Sequence, residues 1–87
     1  MTVYKYKLPI TDAFVIEMPS AAKLLHVSEQ DGHLMLWALV DTSRMTIKRK
    51  FRIVGTGHPI SPNECSKDVG TAHRGRFVWH LFDCGEA

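Results

Sequence analysis

The stretch that decides the fold is VSEQDGHLMLWALV, Val27–Val40. Asp31-Gly32 suits a two-residue type I′ turn, in which both central residues need positive φ; glycine adopts it freely and aspartate tolerates it. The turn sets a register in which Gln30 pairs with His33 and Val27 with Leu36. Leu25 then faces Ala38 and, with Leu34 and Val40, completes one apolar face. The other face sets Leu24 opposite Leu39, His26 opposite Trp37 and Ser28 opposite Met35. A slip of one residue would exchange the two faces, so the turn governs what is buried.

Working outward, turn signals recur at short intervals: Pro9, Asp12, Pro19, Asp41 to Ser43, Gly55 to Pro62 and Arg74-Gly75. The segments between them are rich in β-branched and aromatic residues. This spacing predicts an all-β fold, a small antiparallel β-sandwich or barrel of six to seven short strands with at most a single helical turn, at Ser20–Lys23. In VGTAHRGRFVWHLF an Arg74-Gly75 loop would pair His73 with Arg76, Ala72 with Phe77, Thr71 with Val78 and Val69 with His80; a longer loop with a bulge at Gly75 is the alternative. Tyr4, Tyr6 and Leu8 share one strand face, as do Phe14, Ile16 and Met18. In TIKRKFRIV, Ile47, Phe51 and Ile53 point inward and Arg49 breaks the pattern. Residues Leu25, Val27, Leu36, Ala38, Ile47, Phe51, Ile53 and Val78 are the expected core.

Eighty-seven residues make a single β domain, 1–87. The hydrophobic fraction is 45%, which places the chain among globular proteins. A net charge of +2 is too balanced to imply nucleic acid by itself. The longest apolar run, Leu34–Val40, is too short for a membrane helix. The N-terminal MTVYKYKLPI lacks the apolar core of a signal peptide, so a cytoplasmic protein is expected. Cys65 and Cys84 are accordingly read as free thiols.

Neither catalysis nor a cofactor is indicated. The chain has no G-x-S-x-G element and no nucleophile signature around its cysteines. His80-x₃-Cys84 is a single pair without a second ligand pair, so no metal is expected. The GTGHPI stretch, Gly55–Ile60, resembles a phosphate loop only in its glycines. Such a loop needs a helix N-terminus after it, and here Pro59 and Pro62 follow. It reads as a strand end and a wide loop, with Pro59 holding His58 extended.

Two surfaces remain as candidate binding sites. HLMLWALV and FVWHLF are apolar on both faces, so either both strands are central and doubly covered or one face awaits a partner. Met35, Trp37, Leu39 and Trp79 are the candidate protein-binding residues, for a host protein or a second copy of the chain. Arg44, Lys48, Lys50 and Arg52, with Arg74 and Arg76 beside them, are the candidate basic surface for nucleic acid. The alternative reading of that stripe is a solvated face that discourages edge pairing.

The segments IEMPSAAKLLHVSEQDGHLMLWALVD, RKFRIVGTGHPI and GRFVWHLFD resemble a family of small bacteriophage and prophage domains of unknown function, over roughly Tyr4–Phe82. Members usually carry glycine where this chain has Ala21 or Ala22. The resemblance implies a compact β-rich fold and a phage setting, and it brings no catalytic residues. By association with other small phage proteins it suggests a non-enzymatic inhibitor of a bacterial defence system such as CRISPR. The alternatives are a nucleic-acid-binding β domain and a structural or assembly component.

Overall fold

A computed structural model describes residues 1–60 and 67–86. Among them seven strands form: β1 Thr2–Lys7, β2 Ala13–Pro19, β3 Lys23–Gln30, β4 His33–Val40, β5 Thr46–Gly55, β6 Lys67–Arg74 and β7 Phe77–Glu86. All pairings are antiparallel. The first sheet has the order β1-β4-β3 and the second the order β2-β5-β7-β6. The expected all-β architecture holds. No helical turn forms at Ser20–Lys23: Ser20 and Ala21 make a turn and Lys23 already opens β3.

The sheets bury facing alternations. Val27, Leu34, Leu36, Ala38 and Val40 come from the first, and Met18, Phe51, Ile53, Ala72 and Leu81 from the second. Phe14 and Phe51 stack at 5.7 Å across the β2–β5 pair. The sandwich narrows where β3 lies along β6. At Gly70 a side-chain carbon would stand 3.0 Å from Val27 Cγ1, so the sheets approach here because the residue has none.

The Asp31-Gly32 turn is as expected: φ is 53° at Asp31 and 81° at Gly32, the type I′ pattern. Gln30 pairs with His33, Ser28 with Met35, Val27 with Leu36 and His26 with Trp37. The register then shifts between Leu24 and His26, so Leu24 meets Ala38 and Lys23 meets Leu39. Leu25 is the extra residue of this bulge. It is 44% exposed, which corrects its place in the expected core.

The second hairpin turns one residue later than expected. Its loop is Gly75-Arg76, with Arg74 opposite Phe77, His73 opposite Val78 and Ala72 opposite Trp79. Gly75 has φ of 61° and Arg76 is not in the left-handed region, so this is a type II′ turn, which wants glycine first. Val78 lies between the inner Ala72–Trp79 pair and Phe77, on the outer alternation, and is half-buried; Ile47 near the start of β5 is half-buried too. Gly70, opposite Leu81, keeps the inner alternation of Ala72, and the register shifts beyond it, between Asp68 and Gly70, leaving Val69 without a ladder partner.

Between β2 and β3 the chain passes from one sheet to the other through Ser20 and Ala21. Ala21 has φ of 60°, a conformation that costs a residue with a Cβ about 1–2 kcal/mol. Ala21→Gly should therefore stabilise the domain by about 1 kcal/mol, read as a higher urea midpoint at unchanged slope. An unchanged or lower midpoint would show that the turn carries no such strain.

Candidate functional site

Two outer sheet faces, one buried ion pair and one cleft are the features with chemical potential. On the outer face of the first sheet the central strand β4 presents Met35, Trp37 and Leu39, all half-buried. Their neighbours on β1 are Lys7, Lys5 and Val3, in that order. On β3 they are Ser28, His26 and Lys23. The His26 and Trp37 rings lie 5.9 Å apart, tilted by 35°. Lys5 reaches across to Gln30, with Nζ donating to Oε1 at 2.7 Å. Val3 extends the apolar row and is 54% exposed, and Leu25, the bulge residue next to His26, is 44% exposed. Three of the four residues expected to bind protein thus share one face. Trp79 does not join them. It pairs with Gly55 and Ala72 on the inner alternation of the second sheet, where it stacks on Phe77 at 5.9 Å.

The six basic candidates do not gather into one surface. Lys48, Lys50 and Arg52 do share the outer alternation of β5. Lys48 stands directly opposite Glu17 on β2, which offsets its charge. Arg52 Nε donates to the Asp12 carbonyl at 3.2 Å. Arg44 Nε donates to Ser20 Oγ at 3.0 Å, fixing one chain crossing to another. Arg74 is at the far end, where its Nε donates to the Gly32 carbonyl at 2.6 Å. Arg76 sits in the adjoining turn. Phe77, the partner of Arg74, and Phe82, the partner of Arg52, are five positions apart on β7, roughly 16 Å at ~3.3 Å per residue. The arginines mostly tie loops together, a use that spacing along the sequence does not reveal.

Arg49, which broke the β5 alternation, has its reason in Asp83. Its Nη2 donates to Asp83 Oδ2 at 2.6 Å and its Nε to Oδ1 at 3.2 Å. Its Nη1 donates to the Ala22 carbonyl at 2.6 Å. The Gly85 N–H completes the carboxylate shell at 2.9 Å. The pair is largely enclosed, with 13% and 5% of the two side chains exposed. Burial pushes the Asp83 carboxyl up, but the Arg49 and Gly85 hydrogen bonds outweigh it and hold the group below its ordinary value. Asp83 escaped the sequence reading. Its signal was its place two residues beyond the inward-facing Leu81.

GTGHPI closes β5 with a tight turn. His58 N–H donates to the Gly55 carbonyl at 3.0 Å, and Gly57 at φ of 88° occupies the position of a type II turn that requires it. No helix follows among the described residues. The His58 ring packs on Gly55, with Nδ1 3.0 Å from where a Cβ would lie. A cleft of about 380 Å³ opens there, between Ile10–Asp12 on one side and His58 and Trp79 on the other. Trp79 Nε1 is enclosed and has no hydrogen-bond partner. His80 is fully engaged, with Nε2 2.7 Å from Thr56 Oγ1 and Nδ1 3.0 Å from Thr71 Oγ1.

Among the described residues no group of three or more His, Cys, Asp or Glu could hold a metal ion. The expectation of free thiols is corrected at Cys84, which is disulfide-bonded. Cys65 lies outside the described residues. No helix among the described residues is long and apolar enough to cross a membrane.

With this geometry the comparisons give a class and no more. The family described as domain of unknown function DUF7352 matches residues 1–86. The chain belongs to that family. No curated protein and no solved structure matches it.

The ion pair generates a prediction with a definite sign. Because the Asp83 carboxyl is held below its ordinary value of 3.8, its contribution to stability is present above that pH and is lost as pH falls through the lower folded value. Asp83→Asn should destabilise by about 2–4 kcal/mol at neutral pH, because it strands a largely enclosed guanidinium. The variant should also lose less stability than the parent between neutral pH and about pH 3. Parallel urea melts at the two pH values measure both effects. Equal acid losses in the two proteins would show that the pair is not the titrating element.

Proposed function

We propose that this chain is a non-enzymatic protein-binding domain that docks a partner on the outer face of its three-stranded sheet. The observation that carries the reading is the apolar row Val3, Met35, Trp37 and Leu39, with the exposed bulge residue Leu25 adjoining His26. One face of an antiparallel sheet in a small sandwich ordinarily meets water and alternates to polar residues. Here the central strand of that face carries no polar residue between Met35 and Leu39, and two of its flanking apolar residues are exposed. Tryptophan and methionine are enriched at the centres of protein interfaces.

The setting we propose is a bacteriophage or prophage, with the protein acting in the bacterial cytoplasm on a host complex. A defence system such as CRISPR is the class of target. The support is the resemblance of the EMP, LWALVD, GTGHPI and VWH segments to small phage domains, together with the binding face. In that compartment the Cys84 disulfide would meet a reducing pool. The fold should then stand without it, since the apolar core and the Arg49–Asp83 pair do not include Cys84. Protein treated with dithiothreitol should keep its far-ultraviolet strand spectrum at growth temperature. Unfolding on reduction would move the protein out of the cytoplasm.

Nucleic-acid binding through β5 has less support, because Glu17 offsets Lys48 and both Arg44 and Arg52 are engaged in loop contacts. Trp37→Ala tests the two readings together. Truncating an interface tryptophan costs about 2 kcal/mol or more of binding, whereas an exposed charge contributes roughly 0.2–1. Capture of the target from bacterial lysate should fall sharply for Trp37→Ala and little for Lys50→Ala. The melting transition of each variant is read alongside. A folded Trp37→Ala protein that retains full capture would remove the docking face from consideration.

A further inference from the structure

We infer that the partner of this face is an acidic protein surface with an apolar anchor, an inference that rests on the docking reading above. The charges of the face carry it. Lys5 and Lys7 on β1 and Lys23 on β3 stand beside Trp37, Met35 and Leu39, one beside each. All three lysines are exposed. Among the described residues of this outer alternation there is no carboxylate, although the chain has 9 acidic residues against 11 basic ones. The nearest along β3, Glu29, belongs to the inner alternation opposite Leu34, and its Oε1 is occupied by the Gly32 N–H at 2.6 Å. The outer face of the second sheet differs, since Lys48 there has Glu17 opposite.

A face bearing cations on both flanks and no anion cannot match itself. In a two-fold dimer the same patch meets its own copy, and lysines would approach lysines. Like charges brought together across an interface oppose association, while carboxylates on a partner would be drawn to all three positions. A second copy is therefore disfavoured and an acidic partner favoured. Single-stranded nucleic acid would also supply anions, but it is held by successive bases stacked on several aromatic rings. Here Trp37, with the small His26 ring beside it, is the one large aromatic among Val3, Leu25, Met35 and Leu39. Aliphatic side chains suit an apolar protein anchor better than a row of bases. An anionic membrane would take the same lysines, but it would engage them without selecting a peptide sequence.

The test uses the full chain, immobilised, and a displayed library of short random peptides. Two variants run in parallel: Trp37→Ala, and the triple reversal Lys5→Glu, Lys7→Glu, Lys23→Glu. Both are first checked for a cooperative melt. Should Trp37→Ala fail to fold, Leu25→Ser takes its place, since Leu25 is an exposed bulge residue. The expected result is enrichment of peptides combining Asp or Glu with an aromatic or aliphatic anchor. Binding should fall roughly tenfold or more, about 1.4 kcal/mol, for each variant, and it should weaken as salt rises. Peptides that are not acidic, lost with the apolar variant and indifferent to the lysine reversal, would overturn the acidic partner and leave the docking face standing. Peptides indifferent to both variants, or no enrichment at all, would overturn both. A single-stranded oligonucleotide or phosphatidylglycerol vesicles binding more tightly than any peptide, and released by the reversal, would overturn the protein partner. Concentration-dependent dimerisation abolished by the apolar variant would do the same in favour of a second copy.

Discussion

The Arg49–Asp83 pair is the constraint on which the second sheet depends. It links β5 to β7 side by side and, through Arg49 Nη1 and the Ala22 carbonyl, ties that sheet to the chain entering β3. Two other crossings meet at the same end. Ser20 N–H donates to the Met45 carbonyl at 2.8 Å, and Arg44 grips Ser20 Oγ. Taking two charges out of water is costly, so the pair persists only because its hydrogen-bonding capacity is met. The guanidinium finds both carboxylate oxygens and a carbonyl, and the carboxylate also finds the Gly85 N–H. Gly85, at φ of 83°, lies where the β5–β7 register shifts, so the bulge itself supplies that donor. An apolar pair in the same place would fill space without fixing which residue of β7 meets β5. The ion pair specifies the register at the point where the ladder is irregular.

Much of the fold was legible because local signals agree with tertiary packing. Asp31-Gly32 fixes the β3–β4 register directly through the turn, and the pairing follows it from Gln30 back to His26. Phe14, Ile16 and Met18 alternate inward because nothing interrupts β2. Arg49 was visible as an anomaly, since a charge at an inward position demands a partner. What was not legible is where the ladder gains a residue. Leu25 has the composition and parity of a core residue, and only the shift between Leu24 and His26 leaves it exposed. The Gly75-Arg76 loop moves the β7 partner of each residue from Gly70 to His73 by two positions, because type II′ wants glycine first where the simpler reading put arginine first. Glu17 and Lys48 are distant in sequence, so no spacing rule could have shown that the basic stripe is partly neutralised.

The two sheets thereby divide the work. The second holds the buried charges and the long strands β5 and β7, and its outer face mixes signs. The first has three strands, with β4 at its centre, the bulged β3 on one edge and β1 with two lysines on the other. Those lysines have a role on the edge, since charged side chains there deter pairing with another chain. Their role on the face is separate. Lys5 and Lys7 project to the same side as Met35 and Trp37, while Tyr4 and Tyr6 take the opposite side, with ring centroids 6.4 Å apart. The alternation that puts aromatic area inward thus delivers two ammonium groups outward.

The bulge at Leu25 joins these threads. Without it, Leu24 would sit opposite Leu39 on the outer face, and Leu25 would fill the inner face beside Ala38. The extra residue turns Leu24 inward to Ala38, places Lys23 beside Leu39, and leaves Leu25 with neither a ladder partner nor full cover. One inserted position therefore adds a cation to the outer face and exposes an aliphatic group next to it in the chain. Exposed leucine lowers solubility and an unpaired residue weakens the ladder, so the bulge gives the isolated domain no stability. Its gain lies in the composition of the face, apolar along β4 and positive on both flanks, and such a face becomes favourable only against a surface that can desolvate the apolar row and supply carboxylates at its rim.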